Sequence, residues 1–323
     1  MLLRQVAQRF DRTIGNATTK ARLGGDEFAA ILGTASESEI DRICNAILHT
    51  LDAPFVIEQN QIALRYQPKV DLRSGYTRGV EALVHWNHPL HGIVPAHQFV
   101  PVAERTGLIH ALSRWVLRTA IAQCDAWRRV GLEIPVAVNL SPRNFHDEQL
   151  PGYIERLQQR HKLPAKLIEI EITESVILTD AQHISSALHD LSRKGMRIFI
   201  DDFGTGYSSL GHLKKLPVTG VKIDRMFISQ VTSHAHDAAI VRSIIDLGHR
   251  LGVEVIAEGV ETQKIWQKLV SLDCDAAQGY LMCPPRPAAD LNDWFNNTSW
   301  TIGNMATRTR SKFAFRSPRI APK

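Results

Sequence analysis

Arg197-Ile198-Phe199-Ile200-Asp201-Asp202-Phe203-Gly204-Thr205-Gly206-Tyr207-Ser208-Ser209-Leu210 decides how this 323-residue chain is read. A short apolar run ends in two adjacent carboxylates and then meets a turn rich in glycine and serine. An apolar run bounded by turn chemistry suggests a strand buried on both faces. Two ionised carboxylates at its tip repel one another unless a cation lies between them. A hard divalent cation, which binds carboxylate oxygens, satisfies that requirement economically. Gly204 and Gly206 allow the backbone to turn tightly or to pass close to a ligand. The alternative is a solvated Asp-Asp helix cap, and the surrounding chain must separate the two.

From Ile62 onward, strand-like runs alternate with amphipathic helical stretches. The runs are Tyr66–Val70, Val80–Val84, Ile134–Leu140, Leu167–Ile172, Met196–Ile200, Gly220–Ile223, Val253–Ala257 and Ala276–Gln278. Helical periodicity is read at Phe99–Glu104, Ile109–Arg129, Gln182–Lys194, Ala238–Leu251 and Gln263–Leu272. Strands separated by helices over about 230 residues have the dimensions of a (β/α)8 TIM-like barrel. Asp71–Gly79, which joins the first two runs, is too short for a helical crossover, so that pair is expected to be antiparallel. An open doubly wound sheet competes, but no GxGxxG follows any strand.

The residues ending these runs carry the chemistry. Glu81 lies in the second run and Asn139 ends the third. Glu171 and Glu174 close the fourth, Asp201 and Asp202 the fifth, and Lys222 and Asp224 the sixth. Glu258 and Glu261 follow the seventh, and Gln278 ends the last. Each alone reads as a cap or loop residue. One polar cluster per strand, all at C-terminal ends, is how a barrel gathers an active site on one face. The set holds carboxylates, an amide and a lysine, with no His or Cys, and so favours Mg2+ or Mn2+ over zinc. A lysine among acids can orient water, and a carboxylate outside the metal shell can act as general base. Two metals sharing a carboxylate are a recurring solution for phosphodiester hydrolysis.

Composition excludes other classes. Hydrophobic content of 44% with 22% charged residues suits a globular protein. No apolar run is long enough for a membrane span, and the N-terminus lacks the apolar centre of a signal peptide. Cys44, Cys124, Cys274 and Cys283 form no CxxC pair, consistent with reduced thiols in a cytoplasmic protein. The net charge of +5 comes from a tail: Arg308 to Lys323 holds six basic residues and no acidic one, leaving −1 for the remainder. Such a tail reads as solvated and disordered, and nothing else suggests nucleic-acid binding. His85, His88 and His91 read as ordinary loop histidines.

Glu81-Ala82-Leu83 with Trp86-Asn87-His88-Pro89 resembles the signature of the EAL family of cyclic di-GMP phosphodiesterases. Val138-Asn139-Leu140-Ser141, Glu171-Ile172-Thr173-Glu174-Ser175, the Asp201–Leu210 stretch, Val221-Lys222-Ile223-Asp224, Ala257-Glu258-Gly259-Val260-Glu261 and Gln278-Gly279-Tyr280 follow in the family's order. The resemblance implies that Glu81, Asn139, Glu171 and Asp201 hold one metal. Asp201 would bridge to a second metal that Asp202 helps to bind. Lys222 would contact the catalytic water and Glu258 would be the general base. Glu261, Gln278 and Gln67 would support the site or bind substrate, and Glu174 would brace the loop that begins at Asp202. The implied reaction opens cyclic di-GMP to linear pGpG in bacterial signalling, in a chain expected to form a homodimer. The alternative is a catalytically weak or silent EAL-type receptor that binds cyclic di-GMP and signals through a partner; such receptors usually lose metal ligands or the base, which here are all present.

Three regions are expected: a front segment (1–57), the barrel (58–295) and the tail (296–323). In the front, Leu23-Gly24-Gly25-Asp26-Glu27-Phe28 reads as a Gly-Gly hairpin turn and resembles the GGDEF diguanylate cyclase signature. Helical patterns flank it, beginning at Leu2 and spanning Glu37–Leu51. The segment is too short to carry the family's other metal-binding Asp and most of its sheet, so it is expected to be a truncated remnant without cyclase activity. One departure lies in the barrel motifs. Family members usually carry Arg four positions after the first glutamate, on a substrate phosphate, and this chain has His85. Arg offers a planar fork and a permanent charge, whereas His is shorter and mostly neutral at pH 7. Losing one charge-assisted contact costs about 1.5–3 kcal/mol. The expected outcome is weakened binding with turnover retained: His85→Arg should lower KM, and an unchanged KM removes His85 from the substrate contact.

Overall fold

Ile168-Glu169-Ile170-Glu171-Ile172-Thr173 shows in one strand how the molecule is built. Alternate residues of a strand face opposite sides, and here both sides are buried: the isoleucines and the two glutamates are all at most 1% exposed. The glutamates bond Lys69, which stands on a strand that does not neighbour this one, so they point into a closed interior. The isoleucines consequently face the other way, toward covering helices. Strands wrapped around an interior and covered outside by helices make a barrel.

The computed structural model describes residues 2–14, 19–24, 27–33, 36–51, 61–88, 92–174, 181–206, 213 and 215–300. Gly25 and Asp26 of the hairpin turn, Ser175, His91, residues 207–210 and the tail from 301 lie outside the described residues. The chain divides into two compact units, one joining residues 1–63 with 84–116, the other joining 64–83 with 117–323.

In the first unit, helix Leu2–Ile14 precedes β1 (Thr19–Gly24) and β2 (Glu27–Ile31), and helix Glu37–Leu51 follows. β1 and β2 pair antiparallel, with Thr19 opposite Ile31 and Arg22 opposite Phe28, as the Gly-Gly turn signal predicts. Phe10 of the first helix meets Phe28 at 5.8 Å between ring centroids. After β3 (Gln61–Asp71), the outer part of β4 (Thr77–His88) pairs with the short β5 (Gly92–Val94), which sequence periodicity did not suggest. Trp86 packs edge-on against Phe99 of helix Ala96–Arg105.

In the second unit, the remaining strands are β6 (Val136–Asn139), β7 (Ile168–Thr173), β8 (Arg197–Phe203), β9 (Gly220–Ile223), β10 (Glu254–Ala257) and β11 (Ala276–Gln278). Their sheet order is β3-β11-β10-β9-β8-β7-β6-β4, and β3 pairs again with β4 to close the barrel. Seven strands run parallel and β3 runs against them. The antiparallel start follows from its turn: Asp71 accepts from the amides of Arg73 and Ser74, and Gly75 takes φ of 71°. That self-contained Asx turn reverses the chain within a few residues, leaving no room for a crossover helix. All eight strand runs read from the sequence are present.

Helices Ile109–Arg129, Ala181–Arg193, Ala235–Leu251 and Gln263–Ser271 cover the barrel, placed as their periodicity predicts. Leu150–His161 and Ala288–Asn297 are further helices whose Gln-, Asn- and Asp-rich sequences hide an apolar stripe of only two or three residues. Beyond the last, Trp300 meets Trp266 at 4.7 Å between ring centroids, with the planes tilted by 52°. Among the described residues, no helix is long and apolar enough to cross a membrane.

Close backbone approach sets Gly279, directly after β11. A Cβ there would lie 2.1 Å from the Val260 carbonyl oxygen and 2.3 Å from its nitrogen. Both obstacles are main chain, so they cannot swing aside. Gly279→Ala should lower unfolding free energy by about 1–3 kcal/mol or more, measured by urea denaturation; an unchanged midpoint contradicts the packing described.

Candidate active site

Lys222 ends up where no isolated lysine would go. It is the third residue of β9, fully buried, because Gly220-Val221-Lys222-Ile223 is a short strand buried along its whole length. Its ammonium contacts Glu258 Oε1 at 2.6 Å, Glu171 Oε2 at 2.8 Å, Asp201 Oδ1 at 3.1 Å and Glu81 Oε2 at 3.2 Å. These four carboxylates come from β4, β7, β8 and the loop after β10. Parallel strands in register bring their C-terminal ends to one face of the barrel, which is why residues so far apart in sequence converge. Burying an ammonium is tolerable only with such compensation.

The rest of the predicted set adds to this group unevenly. Asn139, at the end of β6, donates its amide to Glu81 Oε1 at 2.6 Å. Gln278, at the end of β11, donates to Glu81 Oε2 at 2.7 Å and to Gln67 Oε1 at 3.0 Å. Gln67 donates in turn to the Cys283 carbonyl. Glu261 is exposed in the loop beyond Glu258, and His85 stands half-buried on the part of β4 that belongs to the other compact unit.

Asp201 and Asp202 pose a geometric problem, since consecutive residues of a regular strand face opposite sides. The β8–β9 register is broken between Ile200 and Phe203, and Asp202 has φ of 54°. Bulges of this kind re-aim side chains beside active sites, and Asp tolerates left-handed backbone better than most residues. As a result Asp201 joins two oxygen clusters, one with Glu81 and Glu171, the other with Asp202 and Glu258. Within each cluster the ligand oxygens lie within 4.8 Å of one another.

The protonation pattern shows how much charge the site carries. Burial and the neighbouring Glu171 push the Glu81 carboxyl up to about 7. Burial and Asp201 raise Asp202 to about 6, and the same two causes push Glu258 well above its ordinary range. Glu171 goes the other way: against the effect of burial, Lys222 and Lys69 hold it down to about 2. Five clustered carboxylates therefore exceed what the lysines can neutralise. Oxygen donors in two adjacent clusters that share one carboxylate, carrying uncompensated negative charge, suit a pair of hard divalent cations.

Glu174, the residue directly after β7, is 4% exposed and accepts from the amides of Gly204 and Gly206 through Oε2, at 2.9 and 3.1 Å. A Cβ on Gly206 would come 3.1 Å from that carboxyl. The carboxylate and the two glycines fit each other and tie the start of the loop after Asp202 to β7.

Lys69 and Glu169 are the contacts that sequence reasoning passed over. Lys69, 2% exposed on β3, bonds Glu169 and also Glu171 Oε1 at 3.2 Å. The alternation of Glu169 with Glu171 was a visible signal that both face one side, but nothing local names the partner.

Comparison with known proteins places this geometry among relatives. The EAL-domain profile matches residues 49–285, and the profile of the diguanylate cyclase GGDEF domain matches residues 1–70. A bifunctional diguanylate cyclase/cyclic di-GMP phosphodiesterase, MucR of Pseudomonas aeruginosa, is 39% identical over 282 residues, 87% of this chain and 40% of that protein. The cyclic di-GMP phosphodiesterase PdeR of Escherichia coli is 34% identical over 239 residues, 74% of this chain and 36% of that protein. The chain thus spans about two fifths of these curated relatives. Among solved structures, the PaMucR phosphodiesterase in complex with c-di-GMP superposes with a TM-score of 0.69 at 44% identity, covering 72% of this chain and 94% of that one.

Removing Glu174 tests the bracing of the loop. Glu174→Ala leaves two amides without their acceptor, at about 1–3 kcal/mol of local stability. Exchange of the Gly204 and Gly206 amides should quicken by roughly 5- to 150-fold. Unaltered protection at both positions is the result that contradicts it.

Proposed function

Because the chain belongs to the EAL-domain family, we propose that it is a metal-dependent phosphodiesterase that hydrolyses cyclic di-GMP to linear pGpG. The single observation that carries the proposal is the pair of oxygen clusters joined at Asp201, with Lys222 among the same carboxylates. Relatives named for their action on cyclic di-GMP, and a related phosphodiesterase seen in complex with it, support the substrate.

Glu81, Asn139, Glu171 and Asp201 would hold one cation, Mg2+ or Mn2+, and Asp201 with Asp202 a second. When bound, such cations polarise the phosphodiester and make water a nucleophile near neutral pH. Glu258 receives the proton of the attacking water at its carboxylate. Burial raises its basicity and its contact with Lys222 fixes where it points. Lys222 keeps the remaining carboxylates from repelling one another and offers a donor to the attacking oxygen. Gln278, anchored by Gln67, restrains Glu81. Glu174 holds the backbone beyond Asp202 in place, so Asp202 keeps its unusual φ.

Homodimer formation, cytoplasmic action and Mg2+ or Mn2+ as the working ion belong to the same proposal, as does the absence of cyclase activity from the GGDEF-like front. The receptor alternative is disfavoured because Glu81, Asn139, Glu171, Asp201, Asp202, Lys222 and Glu258 are all in place.

The test is incubation of purified protein with cyclic di-GMP and Mg2+ or Mn2+, with chromatography for pGpG. Product is expected, abolished by EDTA and restored by added cation. Glu258→Gln should lower kcat by roughly 10²–10⁴ with nucleotide binding kept. Binding without product in the wild type would favour the receptor. GTP should yield no cyclic di-GMP.

A further inference from the structure

Beneath the oxygen clusters, the barrel interior carries a second set of charges that the proposed hydrolysis leaves unused. Glu169 accepts from Lys69 on one side and from Arg197 Nη1, at 2.5 Å, on the other. Arg197 also reaches Glu254, which pairs with Arg78 at 2.7 Å. The Phe199 ring lies against both cations, 5.1 Å from Lys69 Nζ and 4.9 Å from the Arg197 guanidinium. Signs alternate along this column, and Lys69 is the member that touches the candidate ligands.

The contact is specific. Glu171 is fully buried, and its two oxygens are held by different lysines: Oε2 by Lys222 at 2.8 Å and Oε1 by Lys69 at 3.2 Å. Lys222 comes from β9 and Lys69 from β3, so the carboxylate is gripped from two sides of the barrel. Glu171 Oε2 shares the Lys222 ammonium with Glu81 Oε2 and Asp201 Oδ1. Without Lys69, Oε1 would lose its donor from below and the carboxyl would be free to rotate. Lys69 itself cannot drift, because Glu169 and the Phe199 ring confine it.

We propose that Lys69 is a positioning residue for Glu171, presenting one oxygen of that carboxylate to a divalent cation by anchoring the other to the ionic column below. The proposal rests on the assignment of Glu171 as a metal ligand. Outer partners that orient ligands typically account for 10–100-fold in metal affinity.

Calorimetric titration of Mn2+ into the full, chelator-treated chain reads this without any assay of turnover. Lys69→Met should bind Mn2+ roughly 10–100-fold more weakly than wild type, at a temperature where thermal unfolding shows both to be folded. Lys69→Arg, which keeps charge and donors, should recover most of the affinity. Lys69→Gln, which keeps a donor at similar volume without the charge, serves the same comparison if the Met variant does not fold, with weakened binding again expected. A lowered melting temperature with unchanged Mn2+ affinity in the folded variant would overturn the proposal and leave Lys69 as a core ion pair only. If the wild type itself binds no Mn2+, the metal assignment fails and this inference falls with it; loss confined to the Lys69 variants supports it.

Discussion

A single buried ammonium surrounded by four carboxylates is the constraint on which the upper half of the barrel depends. Lys222 has no exposed surface, so its charge is compensated by Glu81, Glu171, Asp201 and Glu258 or not at all. Conversely, those carboxylates share it as their common counter-charge. The arrangement is mutually enforced: removing the lysine leaves clustered anions in a low dielectric, and removing one acid alters the protonation of the others. Burial and the neighbouring Glu171 raise Glu81 to about 7, whereas Lys222 and Lys69 together hold Glu171 down to about 2 against its burial.

Two devices keep this charge in a usable geometry. The broken β8–β9 register and the left-handed Asp202 turn neighbouring residues toward the same region, a placement that a regular strand forbids. Glu174 then ties the following glycines to β7, so the irregular backbone is held by hydrogen bonds instead of being left to fluctuate. From below, the column running through Arg197, Glu169 and Lys69 meets the acids at Glu171. A barrel whose interior is partly ionic is an unusual choice, since aliphatic packing normally fills that space. Here it gives the acidic rim a foundation of fixed charge.

The family relationship and the site geometry support one another without being the same observation. Profiles and relatives establish the EAL family over residues 49–285. The oxygen clusters sharing Asp201 follow from the geometry of the barrel rim alone.

The sequence by itself determined the strand and helix order and most of the polar rim. Apolar period, turn residues and strand-end carboxylates are local features, and all eight runs from Tyr66–Val70 to Ala276–Gln278 became barrel strands. The antiparallel start was equally legible, because nine residues cannot form a crossover helix. Helices Leu150–His161 and Ala288–Asn297 were not, because their polar composition dilutes the periodic signal. Tertiary structure alone decided the partnerships. Lys69 meets Glu169 across 100 residues of chain, and Lys222 meets Glu81 across 141. Such contacts depend on closure, register and a bulge that aims Asp201 and Asp202 together. Local periodicity says which face of a strand a charge occupies; only the closed barrel brings that face opposite another, and with it the counter-charge that allows the group to be buried.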